Sequence, residues 1–177
     1  MPCGGLSHRI AAPRVLFHPR MPQILTRRFG PMDFDDPAIL DFPLGLPGFE
    51  RARRFGLVER AAAAPLVFLQ SLDFPELCFV AAPVELIDRE YHLDMTADDL
   101  RELGFDENQQ PRIGDEVICL ALLSSPENGR PTANLLAPVV IERASRRAVQ
   151  AVRSDSRYSH QHSLTPEARP GEEPLCS

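Results

Sequence analysis

Few residues in this 177-residue chain have types and spacing suited to chemistry. His160 and His162 form an HxH pair. On a strand both rings would point to one face, a geometry that can hold a metal ion. His8, His18 and His92 stand at no ligand-like spacing, so two exposed imidazoles near a strand end is the simpler reading. Asp35, Asp36, Asp94, Asp98 and Asp99 could supply carboxylates for acid–base work or for a hard cation. They follow no calcium-loop pattern, and solvated faces and helix-end electrostatics account for them. The sequence contains no GxSxG elbow, no P-loop and no GxGxxG. Nothing assembles a nucleophile, a base and an orienting group. The expectation is no enzyme, no cofactor and no metal site.

Three groups of side chains suit binding instead. Arg143, Arg146 and Arg147 cluster at an expected hairpin tip, where they could meet RNA phosphate or an acidic protein surface. RNA binding usually adds stacking aromatics, and Tyr158 is the only tyrosine near them. A tip kept soluble by charge is the plainer alternative. Asn134 is the odd residue in "TANLLAPVVI". Ala133, Leu135, Ala137, Val139 and Ile141 would form one strand face, with Asn134, Leu136, Pro138 and Val140 on the other. A buried amide must find hydrogen-bond partners, so Asn134 is either structural or a polar contact in a partner site beside an open edge. Pro138 cannot donate to a ladder and marks an edge or a bulge. Asp98 and Asp99, at the start of an expected helix, form the third group and a candidate partner contact.

The elements that must position these residues are mostly short strands. Runs at 24–29, 39–43, 53–59, 65–72, 77–83, 116–124, 132–142, 148–153 and 158–162 are separated by turn signals. The stretch 116–124 is nearly all apolar, as in a strand buried on both faces. "PENGRP" over 126–131 contains Asn-Gly, a strong turn signal. One helix is expected over 96–105. Thr96 can cap its first turn, Asp98 and Asp99 suit the positive end of its dipole, and Gly104 suits a left-handed C-terminal position. Eight or nine strands and one short helix predict a mainly β, single-domain antiparallel barrel-like fold, with a sandwich as the alternative. Residues 1–20 are basic and Pro-interrupted, and are expected to be a disordered extension, with Met21 a possible start. The Pro- and Glu-rich tail 165–177 is also expected to be disordered.

Composition narrows the partners. All 19 basic residues are Arg, five of them within residues 1–31, which hold no acid. Residues 32–177 carry 14 Arg against 25 acids, a balance of −11. Such a body repels phosphate and suits a basic protein partner. Cys3, Cys78, Cys119 and Cys176 show no metal spacing, and Cys78 and Cys119 lie in apolar runs as reduced core residues would. No run approaches the roughly 20 apolar residues of a membrane span, and the default is a cytoplasmic protein. A small-ligand barrel is the competing class. It needs an aromatic-lined pocket, and aromatic residues make up only 7%.

One short stretch, "FPLGLPGFE" over 42–50, is too apolar for a solvated loop and too rich in Pro and Gly for a helix. Gly45 and Gly48 suit tight or positive-φ geometry, and Pro43 and Pro47 fix φ beside them. Leu44, Leu46 and Phe49 are expected to fold back onto a barrel end as a structural cap. This block, the block "PLVFLQSLDFPELCFVAAP" (65–83) and the block "PTANLLAPVVIE" (131–142) occur in order. Together they resemble the FliW flagellar assembly factor family over residues 22–164. The G-L-P-G-F-E motif (Gly45, Pro47, Gly48, Phe49) and the T-A-N-L-x-A-P-V-V-I motif (Thr132, Pro138) are its most specific parts. The resemblance implies a non-catalytic cytoplasmic protein, monomeric when free, that switches between two protein partners and binds neither nucleic acid nor membrane. One partner is flagellin, held before export; independently of the resemblance, apolar residues near an exposed strand edge are expected to hold its tail by strand addition. The other is CsrA, which represses translation of flagellin message until the freed factor binds it. The chain departs from the family pattern at Ala148-Val149, where Gly-Arg is common before the Gln, and at "QHSL" (161–164).

Overall fold

The structure is a computed structural model that describes residues 23–127, 129–153 and 157–165. The expectations for residues 1–20 and for all of the tail but Thr165 lie outside these residues, as does Asn128 of the Asn-Gly turn.

β1 (Ile24–Thr26) and β2 (Gly30–Met32) form a separate hairpin. A single strand was expected over 24–29, but the chain turns after Thr26. The Thr26 hydroxyl donates to the Gly30 carbonyl (2.9 Å) and accepts from the Phe29 N–H (3.0 Å). Gly30, at φ 71°, supplies the left-handed step. β3 (Ile39–Asp41), β4 (Arg54–Glu59), β5 (Val67–Ser71), β6 (Cys78–Pro83), β7 (Val117–Ser124) and β8 (Thr132–Glu142) then pair in chain order, each antiparallel to the last. The far edge of β8 is shared. β9 (Ala148–Gln150) takes its C-terminal half and β10 (His162–Ser163) its N-terminal end.

β3 returns to the β8–β9 hairpin, where the Asp41 N–H donates to the Arg146 carbonyl at 3.0 Å and Asp41 pairs in parallel with Arg147. The sheet is therefore a nearly closed, antiparallel, barrel-like structure. α1 (Val84–Ile87) is one helical turn, and α2 (Ala97–Leu103) is the longer helix. The strand expected at 158–162 shrinks to its end. The Ser159 carbonyl accepts from both Leu135 and Leu136 (3.0 and 3.3 Å), an arrangement a regular ladder does not contain.

Three apolar clusters explain why the central strands are buried on both faces. The barrel interior gathers Leu40, Phe42, Leu46, Phe55, Leu69, Leu120, Val139, Ile141 and Ala148. The outer face of β7, β8 and β9 is covered by α2 and the segment before it, through Tyr91, Met95, Leu100 and Leu103. Each of those leucines contributes about 2 kcal/mol by leaving water. The outer face of β4 and β5 is covered by the β1–β2 hairpin, through Ile24, Phe29 and Met32 against Phe34, Val58 and Phe68. Cys119 is buried in the α2-side cluster and Cys78 is half-buried, both as free thiols.

α2 is built as its sequence demands. The Thr96 hydroxyl accepts from the Asp99 N–H at 3.1 Å, and Gly104 closes the helix at φ 84°. Its bounds matter because it lies against β9, beside the turn that follows β3.

Candidate functional site

The segment from Phe42 to Ala52 is a chain of three tight turns. The Gly45 N–H donates to the Phe42 carbonyl (2.9 Å), Phe49 to Leu46 (2.7 Å) and Ala52 to Phe49 (2.9 Å). In the middle turn Pro47 and Gly48 hold the central positions, with Gly48 at φ 82°, which is a type II turn. Gly45 is the stricter position. It sits at φ 71°, and a Cβ there would lie 2.6 Å from the Glu50 backbone. Glu50 ties the turn from its side chain, accepting the Gly48 N–H at 2.8 Å. Backbone hydrogen bonding by Glu50 and Gly48 holds its carboxyl below the usual glutamate range.

Of the three apolar residues expected to fold inward, only Leu46 does, at 1% exposure. Leu44 is 61% and Phe49 44% exposed, although Phe49 keeps an edge-on contact with Phe79 at 5.2 Å. The turn therefore anchors itself with one leucine and presents two apolar side chains to solvent.

Two concavities flank it. The larger, about 390 Å³, lies between Phe49, Glu50 and Arg51 on the turn and Phe74, Glu76 and Leu77 on the β5–β6 connection. That connection is stiffened by buried Gln70, whose amide donates toward the carbonyls of Ser71, Pro75 and Leu77 (3.1, 2.9 and 3.1 Å). Asp73 fastens it to β4 by accepting from Arg53 and Arg54 N–H at 2.8 and 2.9 Å. The smaller concavity, about 250 Å³, lies on the other side of the turn. Leu44, Gly45, Pro47 and Glu50 form one wall, and Val149 and Gln150 of β9 with Asp99 of α2 form the other.

The structure thus brings Asp99 to the GLPGFE turn and leaves its neighbour elsewhere. Asp98 is exposed and paired with Arg101 at 2.8 Å. Arg101 also holds Glu107 at 2.8 Å, and the hydrogen bonds to Glu107 and then Asp98 raise its already high pKa. Neither Glu50 nor Asp99 has a cationic partner within ion-pair distance among the described residues.

Asn134 lines neither concavity. It serves the strand. Opposite β7 the register jumps from Leu120↔Val139 to Leu122↔Asn134, which takes residues 135–138 of β8 out of that ladder. Their backbone groups are satisfied one by one, as burial requires. Asn134 Oδ1 accepts the Ala137 N–H at 2.9 Å, and Gln150 Nε2 donates to the Ala137 carbonyl at 2.9 Å. The Leu135 carbonyl takes the Tyr91 hydroxyl (2.9 Å), and the Leu136 and Pro138 carbonyls take the N–H groups of Arg153 (3.0 Å) and Ala151 (2.9 Å). Pro138, with no N–H, sits where none is needed. Thr132 begins β8 opposite Ser124 and beside Ser163.

The arginine tip is more tied down than its composition suggests. Arg143 is exposed, but its N–H donates to the Glu116 carbonyl (3.1 Å). Arg146, at φ 62°, gives its carbonyl to Asp41, and Arg147 pairs with Glu102 of α2 at 3.3 Å. The Glu142 carboxylate accepts from Ala144 N–H (2.9 Å) and Ser145 N–H inside the tip. Burial pushes the Glu142 carboxyl up, but these hydrogen bonds outweigh it and the net shift is downward.

The sequence reasoning missed Leu44, Glu50 and Gln150 as site residues. The signal for Leu44 was its place in a Pro/Gly turn, where an apolar side chain has no assured interior to enter. Among the described residues no group of three His, Cys, Asp or Glu side chains is placed to hold a metal ion, and no helix is long and apolar enough to cross a membrane.

A nearly closed antiparallel sheet with one longer helix among the described residues, and an apolar turn flanked by two concavities, defines a class of small barrel-like proteins. Comparison with known proteins makes the class particular. Residues 23–164 match the FliW protein family. The chain is 34% identical to the flagellar assembly factor FliW of Heliobacterium modesticaldum, covering 81% of this chain and 91% of that one. It is 31% identical to the FliW of Syntrophotalea carbinolica, covering 81% and 99%. A crystal structure of the flagellar assembly factor FliW superposes with a TM-score of 0.69 at 28% identity, covering 82% of this chain and 98% of that chain. The chain belongs to the FliW family of flagellar assembly factors. Val149 and Gln150, beside which the sequence reading expects a departure from the family pattern, both line the smaller concavity.

Proposed function

We propose that the protein is a non-enzymatic cytoplasmic regulator of flagellin supply. It holds flagellin before export. When export frees it, it binds CsrA and relieves repression of flagellin translation. Membership of the FliW family over residues 23–164 is the observation that carries this reading. The surface supports it: exposed Leu44 and Phe49 offer apolar contact, and Glu50 and Asp99 beside them suit a basic partner. The acidic balance of residues 32–177 adds long-range attraction to a basic protein, which speeds encounter and makes it salt-sensitive. Competition of two partners for one limited pool makes the output follow free flagellin by mass action.

The test is binding of the purified protein to immobilised flagellin and to immobilised CsrA. Saturable binding to each, with either soluble partner displacing the other, is the expected result. No saturable binding to either overturns the reading.

A further inference from the structure

The barrel closes at Asp41 and opens immediately beyond it. Hydrogen bonds from Glu142 N–H to the Arg147 carbonyl (2.8 Å), Ala151 N–H to Pro138 (2.9 Å) and Arg153 N–H to Leu136 (3.0 Å) set the phase of β9 and of the residues on either side of it. Residues 147, 149, 151 and 153 direct their backbone groups to β8, so Ala148, Gln150 and Val152 direct theirs away. On that outer side β3 follows only as far as Asp41. Phe42 turns its N–H to the Arg53 carbonyl (2.7 Å), so the next residue to face β9 is Pro43. Proline has no N–H to give, and the pairing ends. Among the described residues, no backbone group pairs with the outer side of Gln150 or Val152.

Proteins normally blunt such an edge with charge, a bulge or a covering element. Here Val152 is 53% exposed, and the edge opens onto a concavity walled by Leu44 and Val149. Glu50 and Asp99 stand at its walls without ion-pair partners among the described residues. The larger concavity lacks this feature. Its Leu77 backbone is spent on Phe74 and Ser71 (both 2.9 Å), which leaves a side-chain pocket.

We propose that this seam accepts an extended segment of a partner protein as an added strand along residues 148–152, and that the segment is apolar and carries a lysine or arginine. Main-chain hydrogen bonds to Gln150 and Val152 supply affinity, the Leu44 wall selects apolar side chains, and Glu50 and Asp99 select the cation. The inference rests on the reading of the protein as a binder of other protein chains.

The probe is the peptide Lys-Val-Thr-Val-Thr-Val-amide, carrying a fluorophore on its N-terminus through a Gly-Gly spacer and a free lysine side chain, titrated with the whole protein at low salt. Two controls accompany it: the same peptide N-methylated at alternate amides, and one with Glu replacing Lys. Saturable binding is expected, with the N-methylated peptide about tenfold or more weaker because strand pairing is blocked. The Glu peptide should bind about fivefold more weakly, and Glu50→Gln with Asp99→Asn should remove that preference. Gln150 and Val152 amides should gain protection from hydrogen exchange on binding. Equal affinity for the N-methylated peptide, protection confined to other strands, or no saturable binding of the parent peptide overturns the proposal. If those results coincide with intact flagellin or CsrA binding, the partner reading stands and the seam is excluded. If the proteins fail to bind as well, both fall.

Discussion

The turn at 43–50 and the hairpin tip at 143–147 are close neighbours, since Asp41 at the foot of one bonds Arg146 in the other. Each joins two strands, and each inverts its composition. The turn is apolar, yet Leu44 and Phe49 reach solvent. The tip is rich in arginine, yet Arg146 and Arg147 are half-buried and tied to β3 and α2. The difference lies in what each backbone must do. The turn completes its hydrogen bonds internally, through three local turns and Glu50, and so needs only Leu46 as an anchor. The tip closes the barrel through the Arg146 carbonyl, and the Arg147 guanidinium is held by Glu102 of α2. Backbone closure, rather than hydropathy, decides which of the two is free to meet a partner.

The contrast is sharpest at the glycines of the turn. Gly45→Ala combines a left-handed φ with overlap onto the Glu50 backbone, and should destabilise the protein by about 3 kcal/mol. Gly48→Ala meets nothing within 4 Å and should cost only the conformational term, about 1–2 kcal/mol. Urea unfolding of the two variants separates them, and equal losses would show that the turn is not locally determined. Arg147→Ala probes the tip. Its pair with Glu102 is partly exposed, so the expected loss is about 1 kcal/mol or less after allowing for solvent screening. A loss above about 3 kcal/mol would make the closure itself electrostatic.

Leu44→Ser should leave stability within about 0.5 kcal/mol while weakening partner binding. The reverse outcome would return Leu44 to the role of a structural cap. The smallest effect is that of pH on Glu50. Its carboxyl is depressed below the ordinary 4.5. Its support of the turn is therefore complete above that value and disappears as pH falls through the lower folded value. The Gly48 amide resonance should report this loss in acid, and in Glu50→Gln it should not titrate.

Much of this architecture was legible in the sequence. β8 runs over the expected 132–142, because its alternation and its turn-bounded ends leave little choice. α2 follows Thr96 and Gly104, whose capping roles are local and so readable. The reading weakened where partners lie far along the chain. That Asn134 needed a hydrogen bond was visible, but its use of Ala137, three residues on, depends on the register jump opposite β7. Gln150 was only a landmark in a motif, and its hold on the Ala137 carbonyl needs the β8–β9 hairpin to be in place. Asp98 and Asp99 were indistinguishable by type, and only the placement of α2 beside the turn separates them. Leu44, Leu46 and Phe49 are similarly apolar, so inside and outside among them were decided by turn geometry.

The Asp41–Arg146 contact also bears on the order in which the molecule assembles. Every other strand neighbour in the sheet from β3 to β9 is also a neighbour along the chain, whereas this pairing joins the first strand of that sheet to its last hairpin. Closing so long a loop costs more chain entropy than any hairpin, and it forms late unless strong contacts reward it early. A single parallel bridge, which includes that hydrogen bond, is a small reward. The Asp41–Arg146 closure should therefore be absent from the folding transition state, so that weakening it speeds unfolding and leaves the folding rate nearly untouched. The part of the barrel that forms last is then the first to open.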